Sequence, residues 1–118
     1  MNILSLGLPG DVVATLARKW GAMWYPARNV GDLYRLLGEV DANVILLNAA
    51  DVPEPRELVV ELLGLTSFTT KIVLACNEPA LDRSTLGDLG IVTLANCAEV
   101  PGLSLDCLRE PPASGMAG

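Results

Sequence analysis

Histidine is absent from the chain, and basic and aromatic residues are scarce. Without histidine there is no Ser–His or Cys–His nucleophilic pair and no histidine-ligated metal site, which removes most familiar hydrolase chemistry. The 8 lysines and arginines are outnumbered by 14 aspartates and glutamates, so the formal net charge is −6 and the isoelectric point is about 4.4. A chain with this charge neutralises few phosphates, and we expect it to bind neither nucleic acid nor an anionic membrane directly.

Long apolar runs and cysteine pairs are also lacking. No apolar run reaches the roughly 18–20 residues that a membrane helix needs, and the start, MNILSLGLPGD, has neither the basic segment nor the cleavage site of a signal peptide. The three cysteines, Cys76, Cys97 and Cys107, are an odd number without close pairing. They are typical of reduced thiols, so we expect a cytoplasmic protein without a disulfide framework.

The chain does have enough apolar residues for one folded domain. It is 118 residues long and 51% hydrophobic, with a mean hydropathy of +0.41. This length and composition predict a single domain with a sizeable core. They exclude the possibility that the whole chain is a disordered tail. We place a folded domain at residues 1–108 and interpret 109–118, which is rich in Pro, Ser and Gly, as a linker or disordered tail that leads to a further domain.

Short apolar runs alternate with segments of helical periodicity along the chain. The runs predict strands at residues 3–6, 22–25, 43–47, 71–75 and 91–94, the second of them ending at Pro26. Helices are predicted from Asp11 as N-cap to a stop at Gly21, from Asn29 as N-cap through Leu37, over 58–63 and, more weakly, over 81–89. Residues 100–108 predict one or two helical turns, interrupted by Pro101 and Gly102.

Five strands alternating with helices predict a parallel sheet covered by helices on both faces. For a chain of this length we expect the flavodoxin-like order 2-1-3-4-5 in a three-layer sandwich, with a last helix that is short or incomplete. Ligands of such sheets bind at the carboxyl ends of the strands. This predicted edge is formed by Gly7, Leu8, Asn48, Ala49, Ala75, Cys76, Ala95 and Asn96.

Two segments carry a resemblance to a known family: Asn2-Ile3-Leu4-Ser5-Leu6, and Asn43-Val44-Ile45-Leu46-Leu47-Asn48 with Pro53 beyond it. In the order and spacing of its strands and helices, residues 1–97 resemble the receiver domain of two-component response regulators. A phosphorylatable receiver has paired acids after strand 1 that hold magnesium and a phosphoacceptor Asp at the end of strand 3. It also has a Thr or Ser ending strand 4 and a Lys ending strand 5.

None of these chemical residues is present at the matching positions. The acid pair falls on Gly7 and Leu8, the phosphoacceptor on Asn48, and the hydroxyl on Ala75. The lysine falls on Ala95 or Asn96, depending on a one-residue choice of register. Gly and Leu offer no side-chain oxygen to a hard cation, and the Asn amide is not a nucleophile for phosphoryl transfer. The resemblance therefore implies a pseudo-receiver, which is not phosphorylated, is not an enzyme, and holds no metal or cofactor.

Three other features suggest chemistry but have simpler explanations. Gly7-Leu8-Pro9-Gly10 before a helix is short of a dinucleotide fingerprint, and Asp11 would repel a phosphate there, although Arg28 after strand 2 would suit a 2′-phosphate. Cys76 has Glu78 beside it rather than a cation, which favours a buried structural thiol. The acids Asp11, Asp51, Glu54 and Glu78 are interpreted as solvated loop residues rather than an acid–base pair.

The aromatic residues Trp20, Trp24 and Tyr25 cluster at the predicted outer edge of the sheet. Core packing explains them, whereas an exposed Trp would indicate a contact surface.

The resulting functional hypothesis is a non-catalytic regulatory module that acts through protein–protein contact. In receivers, helix 4, strand 5 and helix 5 commonly form the dimer surface, and the resemblance places it at residues 81–108. We predict a homodimer through the apolar residues Leu86, Leu89, Val100, Leu103, Leu105 and Leu108. The resemblance also implies attachment to an output domain, such as those of AAA+ transcriptional activators, MinD-like ATPases of pilus systems or motility regulators.

Two alternatives remain open. One is a small-molecule or nucleotide sensor that uses the crevice between strands 1 and 3, and the other is a small flavodoxin-like enzyme. An open pocket around Gly7, Asn48 and Ala75 would favour the sensor, whereas filling by side chains such as Leu8 would favour the interaction module.

Overall fold

A computed structural model describes residues 1–52, 54–66, 70–75, 91–94 and 96–103. It confirms an all-parallel sheet of five strands in the order β2-β1-β3-β4-β5. The strands are β1 (Asn2–Leu6), β2 (Met23–Ala27), β3 (Val44–Asn48), β4 (Lys71–Ala75) and β5 (Val92–Thr93), and the helices are α1 (Gly10–Trp20), α2 (Val30–Glu39) and α3 (Pro55–Leu65). Two 3₁₀ segments cover Ala49–Asp51 and Cys97–Gly102.

Alternate side chains of the central strands enter two separate cores, as expected for a parallel sheet covered on both faces. On one face α1 and the second 3₁₀ segment pack against Ile3, Val44, Leu46 and Val73. On the other face α2 and α3 pack against an inner set made of Leu4, Leu6, Ile45, Leu47, Ile72 and Leu74. The three-layer, flavodoxin-like prediction is therefore correct for the described residues.

Of the three cap residues predicted for α1 and α2, two are confirmed and one is wrong. Gly21 ends α1 in the left-handed conformation (φ 63°), and Asn29 caps α2 by accepting a 2.8 Å bond from the backbone N–H of Asp32. Asp11 was predicted as the N-cap of α1, but it lies in the first turn and Pro9 is the N-cap. Pro9 has the extended backbone of a cap, and its carbonyl accepts the N–H of Val13.

Strand β2 continues through Pro26, where the sequence predicted its end. Pro26 is paired with Ser5 and the strand runs to Ala27. Because β2 is an edge strand bonded only to β1, a residue without an N–H is tolerated on its open side. At the opposite edge β5 covers only Val92–Thr93, two residues of the four predicted.

The segment after β5 covers α1 and contributes to the core. The second 3₁₀ segment starts at Cys97, before the predicted position 100, and includes Pro101. Val100 is fully buried and Leu103 is 8% exposed, both in the α1-face core. These two residues were predicted to belong to a dimer surface, and here both are buried against apolar residues of their own chain.

Several predictions concern residues outside the described part of the chain. These are the helix at 81–89, the interface residues Leu86, Leu89, Leu105 and Leu108, the thiols Cys76 and Cys107, and the linker at 109–118. Within the described ranges, no helix is both long and apolar enough to cross a membrane.

Candidate functional site

The candidate site lies at the carboxyl edge of the sheet, between β1 and β3. Gly7 directly follows β1, and Asn48 is the last residue of β3. Asn48 is also paired with Ala75, the last residue of β4. The parallel register thus brings three of the predicted positions to one edge, as the sequence indicated.

Asn48 connects the two strand ends through its side chain. Its Nδ2 donates a 2.9 Å hydrogen bond to the carbonyl of Gly7, and its Oδ1 accepts the backbone N–H of Ala50 at 3.0 Å. The second bond caps the 3₁₀ turn that follows β3. Both ends of the half-buried amide are therefore used to hold the backbone of the chain.

Gly7 is fitted closely against the turn after β3. Its φ of +81° is a conformation that residues with a side chain rarely adopt. A Cβ on Gly7 would lie 2.8 Å from the Cβ and 2.9 Å from Oδ2 of Asp51, and 3.2 Å from the Cβ of Asn48. A carboxylate at position 7 would thus require both a backbone change and displacement of Asp51.

Asp51 is the residue that sequence reasoning did not assign to this site. It was interpreted as a solvated loop acid and it is indeed exposed, yet its side chain lies against Gly7. The signal for it is the spacing from Asn48, because a 3₁₀ turn brings residues i and i+3 to one side. Asp51 therefore adds a carboxylate to the site, in a place set by the turn and not by a strand end.

Of the other predicted positions, Ala75 and Leu8 have apolar side chains. Ala75 is 1% exposed, and Leu8 packs, half-buried, against the α1-face core. The described side chains that contact Gly7 are those of Asn48 and Asp51. Asn96 is exposed at the start of the second 3₁₀ segment, and the described contacts of Gly7 and Asn48 do not reach it. Ala95 lies outside the described residues.

The aromatic residues at the sheet edge pack into the protein. The indole Nε1 of Trp24 donates a 2.8 Å bond to the hydroxyl of Ser5, which is 3% exposed. The same ring lies 3.5 Å from the place where a Cβ of Gly10 would be. Trp20, Trp24 and Tyr25 are all half-buried. Core packing, the simpler interpretation, therefore describes this cluster.

A second surface feature lies between α2 and α3. A groove of about 720 Å³ is lined by Tyr34, Leu37, Gly38, Val60, Glu61, Gly64 and Leu65, and we call it the α2–α3 groove. The phenol of Tyr34 donates a hydrogen bond to the carboxylate of Glu61 across it. This bond is the main cause that raises the pKa of Tyr34 from 10.0 to about 12. Sequence reasoning did not identify this groove.

The described residues contain no cluster of three or more His, Cys, Asp or Glu side chains that could hold a metal ion. The fold and the strand-end site together define a flavodoxin-like α/β domain in which Asn48 joins the ends of β1 and β3. Comparison with protein-family models, with curated proteins and with solved structures finds no match to this chain. Its function therefore has to be argued from geometry.

Proposed function

We propose that this chain is a non-catalytic, receiver-like regulatory domain that is not phosphorylated and acts through protein–protein contact. The observation that carries the proposal is the arrangement of Gly7, Asn48 and Asp51 at the carboxyl edge of β1 and β3. In a receiver this edge holds the metal and the phosphoacceptor. Here the same edge holds an amide that bonds to the backbone.

At the described positions that match a receiver, neither the phosphoacceptor carboxylate nor the acid pair for magnesium is present. The Asn48 amide is not a nucleophile, and its two ends bond to Gly7 and Ala50. Position 7 has no space for the acid that would bind magnesium. The arrangement is therefore suited to fixing one conformation of the β1 and β3 loops rather than switching between two.

A small-ligand sensor in the same crevice is the alternative, and the contacts disfavour it. The Asn48–Gly7 bond spans the crevice, so a ligand would have to break it on entering. The Asp51 carboxylate would also repel the phosphates of a nucleotide.

The experiment is a thermal-melt panel on the purified chain. Magnesium with beryllofluoride, a mimic of the phosphoryl group, is added first, and flavin, NAD(P), ATP, GTP and cyclic dinucleotides follow separately. A specific ligand at a hundred times its Kd would stabilise the fold by about 2.7 kcal/mol, which is a shift of several degrees. We expect no shift with any of them.

A phosphorylatable receiver domain in the same buffer is the positive control for beryllofluoride. A shift of this chain with beryllofluoride would contradict the proposal. A shift with a nucleotide that becomes larger or smaller in Asn48→Ala would replace it with the sensor.

A further inference from the structure

The α2–α3 groove presents apolar surface that the described part of the chain leaves uncovered. Val60 is 60% exposed and Leu65 is 63% exposed, and both line the groove. Gly38 and Gly64 line it from the two helices, and a Cβ on either would meet no atom within 4 Å. The groove is therefore open along both helices and has room for side chains from outside.

The described part of the chain lines the groove and the hollows beside it with acidic residues. Glu61 lines the groove itself, and Glu54 and Glu57 join it in two adjoining hollows along α3. All charged side chains among the described residues lining these three hollows are acidic. The chain as a whole has a net charge of −6, so a second copy would bring like charge to this surface.

A molecule that binds here must therefore supply apolar side chains that contact Val60 and Leu65, and positive charge near the glutamates of α3. An amphipathic helix with leucines at i, i+3, i+4 and i+7 and lysines or arginines elsewhere satisfies both needs. Helix α3 has 11 residues, which corresponds to about 16 Å at 1.5 Å per residue. Three turns of a partner helix match this length.

We propose that the α2–α3 groove binds a basic amphipathic helix of another protein. The inference rests on the proposed function, because it names the surface and the partner chemistry of a domain that acts by protein contact. It assigns the contact to α2 and α3, whereas the family resemblance assigned it to residues 81–108.

The probe is a fluorescein-labelled peptide of about 15 residues made of leucine and lysine in the amphipathic pattern, long enough to form a helix. A peptide of the same composition in scrambled order keeps the charge and loses the apolar face. Fluorescence anisotropy is measured with the full chain. We expect the patterned peptide to bind about tenfold more tightly than the scrambled one, since only its apolar face fits the groove.

Val60→Asp separates groove binding from plain charge attraction. It adds a negative charge, so attraction alone would tighten the binding of a lysine peptide. Docking of leucines in the groove would instead be weakened about tenfold. Met23→Asp is the matched control, because Met23 is 61% exposed on the edge strand β2 and is not among the groove residues.

Gly64→Gln tests the groove with a variant that favours folding. Gln has a higher helix propensity than Gly, and nothing lies within 4 Å of the new Cβ. The melting temperature should rise while peptide binding falls, with the net charge unchanged. Unchanged binding in Gly64→Gln would overturn the proposal.

Equal binding of the patterned and scrambled peptides, or equal weakening by Met23→Asp and Val60→Asp, would also overturn it. Self-association that Val60→Asp abolishes, without peptide binding, would assign the groove to a second copy instead. The two proposals fail separately. Absent peptide binding with a flat beryllofluoride panel removes only the groove proposal, and a beryllofluoride shift removes only the proposed function.

Discussion

At the scale of single residues, Asn48 and Gly7 explain how the ends of β1 and β3 are held together. The side chain at position 48 has to donate to the Gly7 carbonyl and accept from the Ala50 N–H. The amide of Asn48 does both, through its nitrogen and its oxygen. The left-handed backbone of Gly7 places its carbonyl within reach and leaves space for Asp51.

Replacing Asn48 with Asp should destabilise the fold without creating a phosphorylation site. A carboxylate keeps the bond from Ala50 but sets an oxygen against the Gly7 carbonyl and adds negative charge near Asp51. We expect a loss of about 1–3 kcal/mol at neutral pH, measured by urea unfolding.

Asn48→Ala is the control, because it removes the bonds without adding charge. Asn48→Asp should lose more stability than Asn48→Ala at neutral pH, and the difference should shrink in acid as the new carboxyl takes up a proton. A stability equal to that of the wild type, or a melting shift with beryllofluoride, would contradict this account.

The Tyr34–Glu61 pair gives a prediction in alkaline solution. The phenol bonded to Glu61 titrates with a pKa of about 12, above the value of 10.0 for a free tyrosine. The neutral phenol is thus favoured by folding. Its contribution to stability is fully present below pH 10, the pKa of the unfolded chain, and is lost as the pH rises toward about 12.

Phenolate absorbance during alkaline titration measures this pKa, and the Tyr34→Phe difference spectrum assigns it. Glu61→Gln should move the titration of Tyr34 to lower pH, because the carboxylate that opposes the phenolate is gone. An unmoved titration in Glu61→Gln would show that the hydrogen bond to Glu61 is not the cause.

At the scale of elements, the start of α2 depends on a local pair of caps. Asn29 accepts the N–H of Asp32, and Asp32 in turn accepts the backbone N–H of Arg28 at 3.0 Å. The bond from the Arg28 backbone and then the guanidinium of Arg35 hold the pKa of Asp32 below its usual value of 3.8. These bonds fix the first turn of α2, and α2 forms one wall of the α2–α3 groove.

Asn29→Ala should cost about 1 kcal/mol of stability, because the N–H of Asp32 loses its acceptor. Urea unfolding measures the loss. Asn29→Ser is the control, since the hydroxyl can accept the same bond, and it should retain most of the stability. Equal losses in the two variants would assign the effect to something other than the cap.

At the scale of the whole molecule, the second 3₁₀ segment covers the α1 face of the sheet. Its Val100 and the following Leu103 are buried in that core. Lys19 at the end of α1 donates to the carbonyls of Pro101 at 3.1 Å and Leu103 at 3.0 Å. The ammonium thus joins two segments that lie more than eighty positions apart in the chain.

Lys19→Met keeps most of the apolar stem and removes the donor. We expect a loss of about 1 kcal/mol, because the two carbonyls then bond to water instead, and faster amide exchange at Val100 and Leu103. Arg18→Met is the control for loss of an exposed positive charge from the same turn of α1. Equal effects of the two substitutions on exchange would show that the bonds from Lys19 do not hold the segment.

The sequence by itself determined the elements and their order. Continuous apolar runs such as 43–47 indicated central strands, and Gly21 and Asn29 indicated helix ends, because a cap or a stop depends on residues within one turn. The strand order followed from the alternation of strands and helices, since short right-handed crossovers leave few arrangements. The meeting of Gly7, Asn48 and Ala75 at one edge followed from that order.

Only the tertiary structure decided which surfaces remain free. Pro26 lies inside a strand because β2 is an edge, and Val100 and Leu103 are buried because α1 presents an apolar face to them. The contact of Asp51 with Gly7 and the groove between α2 and α3 join segments distant in the chain. The sequence shows which residues are apolar and how they are spaced. The packing of segments distant in the chain decides whether an apolar residue is buried or available to a partner.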